Sequence, residues 1–242
     1  MACLHQKPQQ TSGADGPFSL ESDVTSIAHP LCIADDTTFW PWRSWPEFAS
    51  WRDRERTLVI VPVVGMADWG LEQPLDLEET VLMTVLHEAA RRRLSGLALL
   101  VVPPLRFVAG PSVKCAFAVA SPIALQLIEE VIASVAAAGF RRIVLFNSSP
   151  GNEELCETAA CDLRVERGLQ MFCVHLTAIG LDLHPVRGGD RAALREFLVS
   201  LASGRPAAAQ TSAGDRLVSL LVEMRDRAPL ADGGAIKPVT PP

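Results

Sequence analysis

The sequence predicts an α/β protein, a three-layer αβα sandwich with a mainly parallel sheet. Three observations lead there. Four apolar runs, residues 57–63, 96–102, 142–147 and 169–176, are continuous in Val, Ile and Leu. Strands that alternate apolar and polar residues bury one face; continuous runs bury both, as in parallel sheets. Helical patterns fall between the runs, giving the order β-α-β-α-β-α-β-α-α. Hydrophobic residues make up 48% of the 242 residues, so both faces of such a sheet can be covered.

The elements follow in order. Residues 1–25 are rich in Gln, Ser, Gly, Asp and Pro and are expected to be a disordered tail, as are residues 229–242. One domain is expected over residues 26–228. Residues 40–51 carry Trp40, Trp42, Trp45 and Trp51. Ser44 is expected to cap a short helix whose Trp45, Phe48 and Trp51 sit at helical spacing against the core, with a subunit contact or a wall of the site as the alternative use of these rings. The helix over 78–94 places Leu82, Val85, Leu86 and Ala89 on one stripe. That over 121–139 is expected to take Ser121 as N-cap and Pro122 at its first position, and to end at Gly139. Leu155, Ala159 and Leu163 mark a helix over 153–168. Two more are expected over 190–202 and 211–225.

Charge and composition exclude some roles. The formal net charge is -6, with a pI near 5.4, and the basic run Arg91-Arg92-Arg93 suits a helix end. No nucleic-acid surface is expected. No apolar run reaches the length of a membrane span, and no secretory leader is expected. Six cysteines without a CxxC pair suit a reducing, cytoplasmic location.

In parallel sheets, ligands collect outside the carboxyl ends of the strands. The loops there offer Asp68, Glu72, Asp76, Glu78, Arg106, Asn147, Ser148, Ser149, Asn152, His175, Asp182 and His184. A metal centre needs three or more His, Asp, Glu or Cys ligands converging on the ion, and the first loop offers acids alone. His175 sits inside an apolar strand and is expected to be a hydrogen-bonded core histidine. Ser148 or Ser149 with His175 lacks the GxSxG pattern of a serine nucleophile. The 147–152 turn is either an ordinary strand-to-helix turn or an anion cradle at a helix start.

These loops resemble those of the creatininase family of metal-dependent amidohydrolases, from about Ser44 to about Asp226. Trp45-Pro-Glu-Phe48 resembles the short helix before the family's first strand, and Leu58-Val-Ile-Val-Pro-Val63 resembles that strand. Val64 to Glu78 follow without a gap the family's signature, which runs through Glu-Gln-His-Gly-Pro-His-Leu-Pro-Leu to a closing Thr-Asp. Residues 139–147 resemble the strand that leads to its Asn-Gly-His-Gly-Gly-Asn turn. Residues 203–217 resemble its closing Gly-x-Pro turn and helix.

The resemblance implies two divalent ions that activate a water and polarise an amide carbonyl. It also implies where ligands are missing. Ala67 stands at a ligating Glu, Trp69 at a ligating His, Glu72 at a second His, Glu78 at a ligating Asp and Ser149 at the His of the second turn. A later loop of the family, His-Ala-Gly-x-x-Glu-Thr-Ser, has no counterpart after Leu176.

The resulting expectation is a non-catalytic member without a metal cofactor, acting as a structural or regulatory subunit. It would assemble with itself or with an active paralogue, as family members form symmetric oligomers. A residual pocket is expected from Asp68, Trp69, Glu72, Glu78, Arg106, Asn147, Ser149 and Asn152, with Phe107 as part of its wall. The alternatives are an amidohydrolase rebuilt around Zn or Mn and a small-molecule binding module.

Overall fold

The computed structural model describes residues 38–69, 73–92, 96–110, 114–184, 191–204 and 208–228. The tails expected over 1–25 and 229–242 lie outside the described residues. The strands are β1 (Leu58–Val64), β2 (Met66–Ala67), β3 (Leu99–Val101), β4 (Leu105–Arg106), β5 (Val108–Ala109), β6 (Cys115–Ala116), β7 (Ala118–Val119), β8 (Arg142–Asn147) and β9 (Gln170–His175). The helices are α1 (Trp45–Ala49), α2 (Leu77–Arg92), α3 (Ser121–Ala137), α4 (Glu153–Arg167), α5 (Arg191–Ser203) and α6 (Ala208–Asp226).

The four predicted strands pair in the order β3-β1-β8-β9, every ladder parallel, and β4 extends the edge of β1 where β3 has ended. All seven residues of β1 are buried, as the unbroken apolar run requires. One face of the sheet (Leu58, Ile60, Val64, Val144, Phe146, Val174) packs under α2, α5 and α6. The other (Val59, Val61, Val63, Ile143, Leu145, Met171) packs on α3, α4 and Phe48 of α1. The direction of winding reverses between β1 and β8. β3 is added on one side of β1 through α2, and β8 on the other through α3, so these two helices cover opposite faces.

Pro62 lies in the middle of a central strand, where a missing N–H normally costs a ladder bond. The local geometry removes that cost. Ile60 accepts from Val102 N–H and Val64 from Phe107 N–H, while Val63 accepts from Ser148 N–H on the opposite side. Pro62 therefore faces the interval between β3 and β4, where neither strand pairs with it.

Two sequence expectations change here. The N-cap of α3 is Ala120, and Ser121 already lies inside the helix. The backbone leaves its extended conformation at Ala120, one residue before the hydroxyl-bearing residue. At α1, Ser44 is the N-cap, and the Glu47 carboxylate accepts from both its N–H and its hydroxyl at 2.7 Å. Trp40 and Trp51 pack beside Phe48 and Phe140. Trp45 does not follow the expected stripe and is 82% exposed, with Trp42 at 49%. Trp45 is the first residue of a five-residue helix, too short for spacing to dictate which side faces the core.

The chain closes onto itself at β8. Arg142, 6% exposed, donates to the main-chain carbonyls of Met224, Arg225 and Arg227. These are end-of-helix acceptors with no partner within α6. Replacing Arg142 with Met leaves them unpaired. The expected loss is about 1.5–3 kcal/mol, read as a lower denaturant midpoint with the slope unchanged.

Candidate functional site

The reversal between β1 and β8 opens a crevice at their carboxyl ends, and the polar residues gather there. Glu78 lies at the start of α2, pointing back beneath the end of β1, and is 0% exposed. Its Oε2 accepts the Gly65 N–H at 2.7 Å. Its Oε1 accepts the indole N–H of Trp69 at 2.6 Å. The Ser149 side chain leans on the same carboxylate without completing a hydrogen bond in range. Burial raises the Glu78 pKa above its ordinary value, against the lowering pull of Trp69, Gly65 and Ser149.

Gly65 makes this approach possible. A Cβ there would sit 2.7 Å from Glu78 Oε2, 2.7 Å from Ser149 Oγ and 2.8 Å from a Val108 methyl. No left-handed backbone is involved; the requirement is space alone.

A second buried acid sits beside the first. Glu79, 1% exposed, accepts a two-pronged bond from Arg106, Nε to Oε2 at 2.7 Å and Nη2 to Oε1 at 2.6 Å. Sequence reasoning singled out Arg106 and missed Glu79. The Glu78-Glu79 doublet at the head of a helix was the available signal, and only the fold shows that both acids turn inward.

On the β8 side, Asn147 closes a turn. Its Oδ1 accepts the Ser149 N–H at 3.0 Å and its Nδ2 donates to the Ser149 carbonyl at 2.8 Å. This fixes the amide so that Nδ2 faces His175 Nδ1 at 3.1 Å. Nδ1 then accepts, the proton rests on Nε2, and Nε2 donates to Glu157 Oε1 at 3.2 Å. His175 is the hydrogen-bonded histidine the sequence predicts. Both ring nitrogens have partners, so neither serves Ser148 or Ser149 as a base. Asn152 joins two elements, its Nδ2 donating to Phe107 O and its Oδ1 accepting Ala109 N–H, both at 2.8 Å.

Trp69, Glu78 and Ser149 therefore come together, with Asn147 adjoining. The other predicted pocket residues do not join them. Asp68 is exposed and pairs with Lys114 at 3.4 Å, since the β2–β6 ladder turns it outward. Arg106 answers Glu79 and not Glu78. Asn147 and Asn152 spend their amides on the protein, which favours the ordinary turn over an anion cradle. Phe107 is buried in the core with α3 and α4 and does not line a pocket. Glu72 lies outside the described residues. His184 comes to the site by its ring, 5.9 Å from that of Trp69, while Asp182 Oδ1 accepts the His184 N–H at 2.9 Å.

The match of a family model, described as creatininase (creatinine amidohydrolase), covers residues 43–198. The chain belongs to the creatininase family. Among solved structures, a creatinine amidohydrolase (creatininase) is 16% identical with a TM-score of 0.50, over 66% of this chain and 63% of that one. A mutant creatininase is 18% identical with a TM-score of 0.49, over 67% and 65%. A structure described as creatininase Mn is 17% identical with a TM-score of 0.49, over 65% and 62%. At 16% identity the first of these speaks for the fold alone. This creatininase-family chain spans slightly less than two thirds of the length of those proteins. A comparison with curated proteins found no match.

Among the described residues, the site's donor set does not fit a pair of divalent ions. Ala67 presents a methyl group, and an indole N–H only donates and has no lone pair for a metal. Among the described residues no three His, Cys, Asp or Glu side chains converge as ligands.

Two outcomes follow from this geometry. Gly65→Ala is expected to cost about 1–3 kcal/mol by overpacking, measured by denaturant unfolding. The raised Glu78 pKa means that the folded state holds its proton more tightly than the unfolded chain. Its contribution is therefore fully present below the unfolded value, near 4.5, and is lost as pH rises through the folded value. In Glu78→Gln the slope of stability against pH just above that point is expected to flatten; an unchanged slope would refute the assignment.

Proposed function

We propose that this chain is a non-catalytic member of the creatininase family that serves as a structural or regulatory subunit. One observation carries the reading. The single acid retained at a family ligand position, Glu78, has both oxygens engaged by N–H donors from Gly65 and Trp69. Hydrolysis of an amide by two metals needs open lone pairs and a water on the ions. The indole N–H on Glu78 Oε1, a donor without a lone pair, supports the absence of an ion there in this reading.

The subunit role has its own support. Trp42 and Trp45 expose large rings near each other in sequence, and exposed aromatic area marks association surfaces. The partner would be a second copy or an active paralogue. A cytoplasmic setting agrees with the thiols of Cys156, Cys161 and Cys173, which form no disulfide among the described residues. No described helix is long and apolar enough to cross a membrane.

Purification without chelator, followed by elemental analysis, tests the metal claim. Less than about a tenth of an equivalent of Zn or Mn is expected. No hydrolysis of creatinine is expected after either ion is added. A stoichiometric ion together with turnover would establish the rebuilt hydrolase instead. Native mass spectrometry is expected to show an oligomer that Trp45→Ala weakens; a strict monomer that captures no paralogue would remove the subunit reading.

A further inference from the structure

A cavity of about 550 Å³ lies between α6 and the single helical turn Leu176–Ile179 that follows β9. Volumes of this size suit small organic molecules. None of the residues bonded to Glu78 lines it. Ser212 and Arg216 of α6 stand four residues apart and so share its wall, while Ala178 and Leu220 supply apolar lining.

Arg216 is held in place at this cavity. Its Nη1 donates to the Ile179 carbonyl at 3.1 Å. The guanidinium lies against Gly180, where a Cβ would collide with Nη1. Its Nε–Nη2 edge makes no bond among the described residues. Elsewhere in the protein this same edge takes a carboxylate: Arg106 donates through Nε and Nη2 to the two oxygens of Glu79.

We propose that this cavity is a binding site for a small organic carboxylate with a short apolar body, its two oxygens resting on the Nε–Nη2 edge of Arg216. The site shares no residue with the Glu78 cluster, so the inference goes beyond the non-catalytic reading and stands whether or not that reading holds.

The charge pattern selects the ligand. Among the described lining residues Arg216 supplies the cation and Asp215 the acid, and Asp215 is already answered by Arg92 at 3.0 Å. One guanidinium edge matches one carboxylate. A phosphate dianion brings a second charge that Asp215 repels and that no further lining cation meets. Thr211 Oγ1 accepts from Arg92 Nη2 at 3.3 Å, which leaves its own proton to donate into the cavity's polar side. Because Ile179 and Gly180 already fix the guanidinium, little ordering is left to oppose binding.

The test titrates the full chain at fixed ionic strength, with binding read by ligand-detected NMR. Sodium butyrate is expected to bind saturably, with a dissociation constant on the order of millimolar or tighter. Butyramide, with the same outline and no charge, is expected to bind roughly tenfold or more weakly, and methyl phosphate more weakly than butyrate. Arg216→Lys keeps the charge and loses the flat edge, and is expected to weaken butyrate roughly tenfold. Ala178→Phe, at an exposed position, fills the cavity with Arg216 intact and is expected to abolish binding. Equal binding of butyramide, tighter binding of methyl phosphate, no saturable binding of butyrate, or unchanged binding by Ala178→Phe overturns the proposal. Should Arg216→Lys fail to fold, Ala178→Phe and the comparison of butyrate with butyramide on the intact protein still decide.

Discussion

A buried carboxylate sets the terms for the carboxyl end of this sheet. Glu78 is fully removed from water, and a charge so placed is tolerated only when the protein supplies donors. Gly65 must be glycine to let the acid approach, Trp69 must present its N–H, and Ser149 must be small. Each of these residues constrains the next. Asn147 shapes the turn that delivers Ser149, and His175 and Glu157 hold Asn147 from the far side. The result is a polar line across the ends of β8 and β9 in which Asn147, His175 and Glu157 answer one another.

That self-sufficiency is what supports the proposed non-catalytic reading. Catalytic groups are held aimed at a substrate or an ion, and their bonding capacity is left open toward the reacting atoms. Here the bonding capacity is turned inward. Asn147, Asn152 and Arg106 stand at the mouths of the right strands and satisfy the protein itself. The family's scaffold persists because its sheet and helices bury the same kinds of apolar surface whether or not the loops do chemistry. Core packing and site chemistry draw on different residues, so one can be lost without the other.

The sequence made the fold legible because burial on both faces of a parallel sheet leaves a one-dimensional trace, runs such as Leu58-Val-Ile-Val that do not alternate. The substitutions that the resemblance implies at Ala67 and Trp69 were legible for a similar reason: a methyl and an indole keep their chemistry in any conformation. Partner choice was not. Asp68 and Glu78 are both acids of one loop region, yet one meets solvent and Lys114 and the other is sealed. Glu79 drew no notice although it is buried and doubly bonded to Arg106. Nothing in the spacing told the inward acids from the outward one, because the short β2–β6 ladder that turns Asp68 outward forms between segments far apart in the chain.

The sequence by itself therefore determined the strand–helix alternation and the parallel sheet, since hydrophobic periodicity is a local property. The tertiary structure alone decided that the Trp69 indole N–H bonds Glu78. That contact joins a residue beyond β2 to one at the head of α2 across the end of a strand. Its 2.6 Å length depends on how three separate elements pack, and no local pattern encodes it.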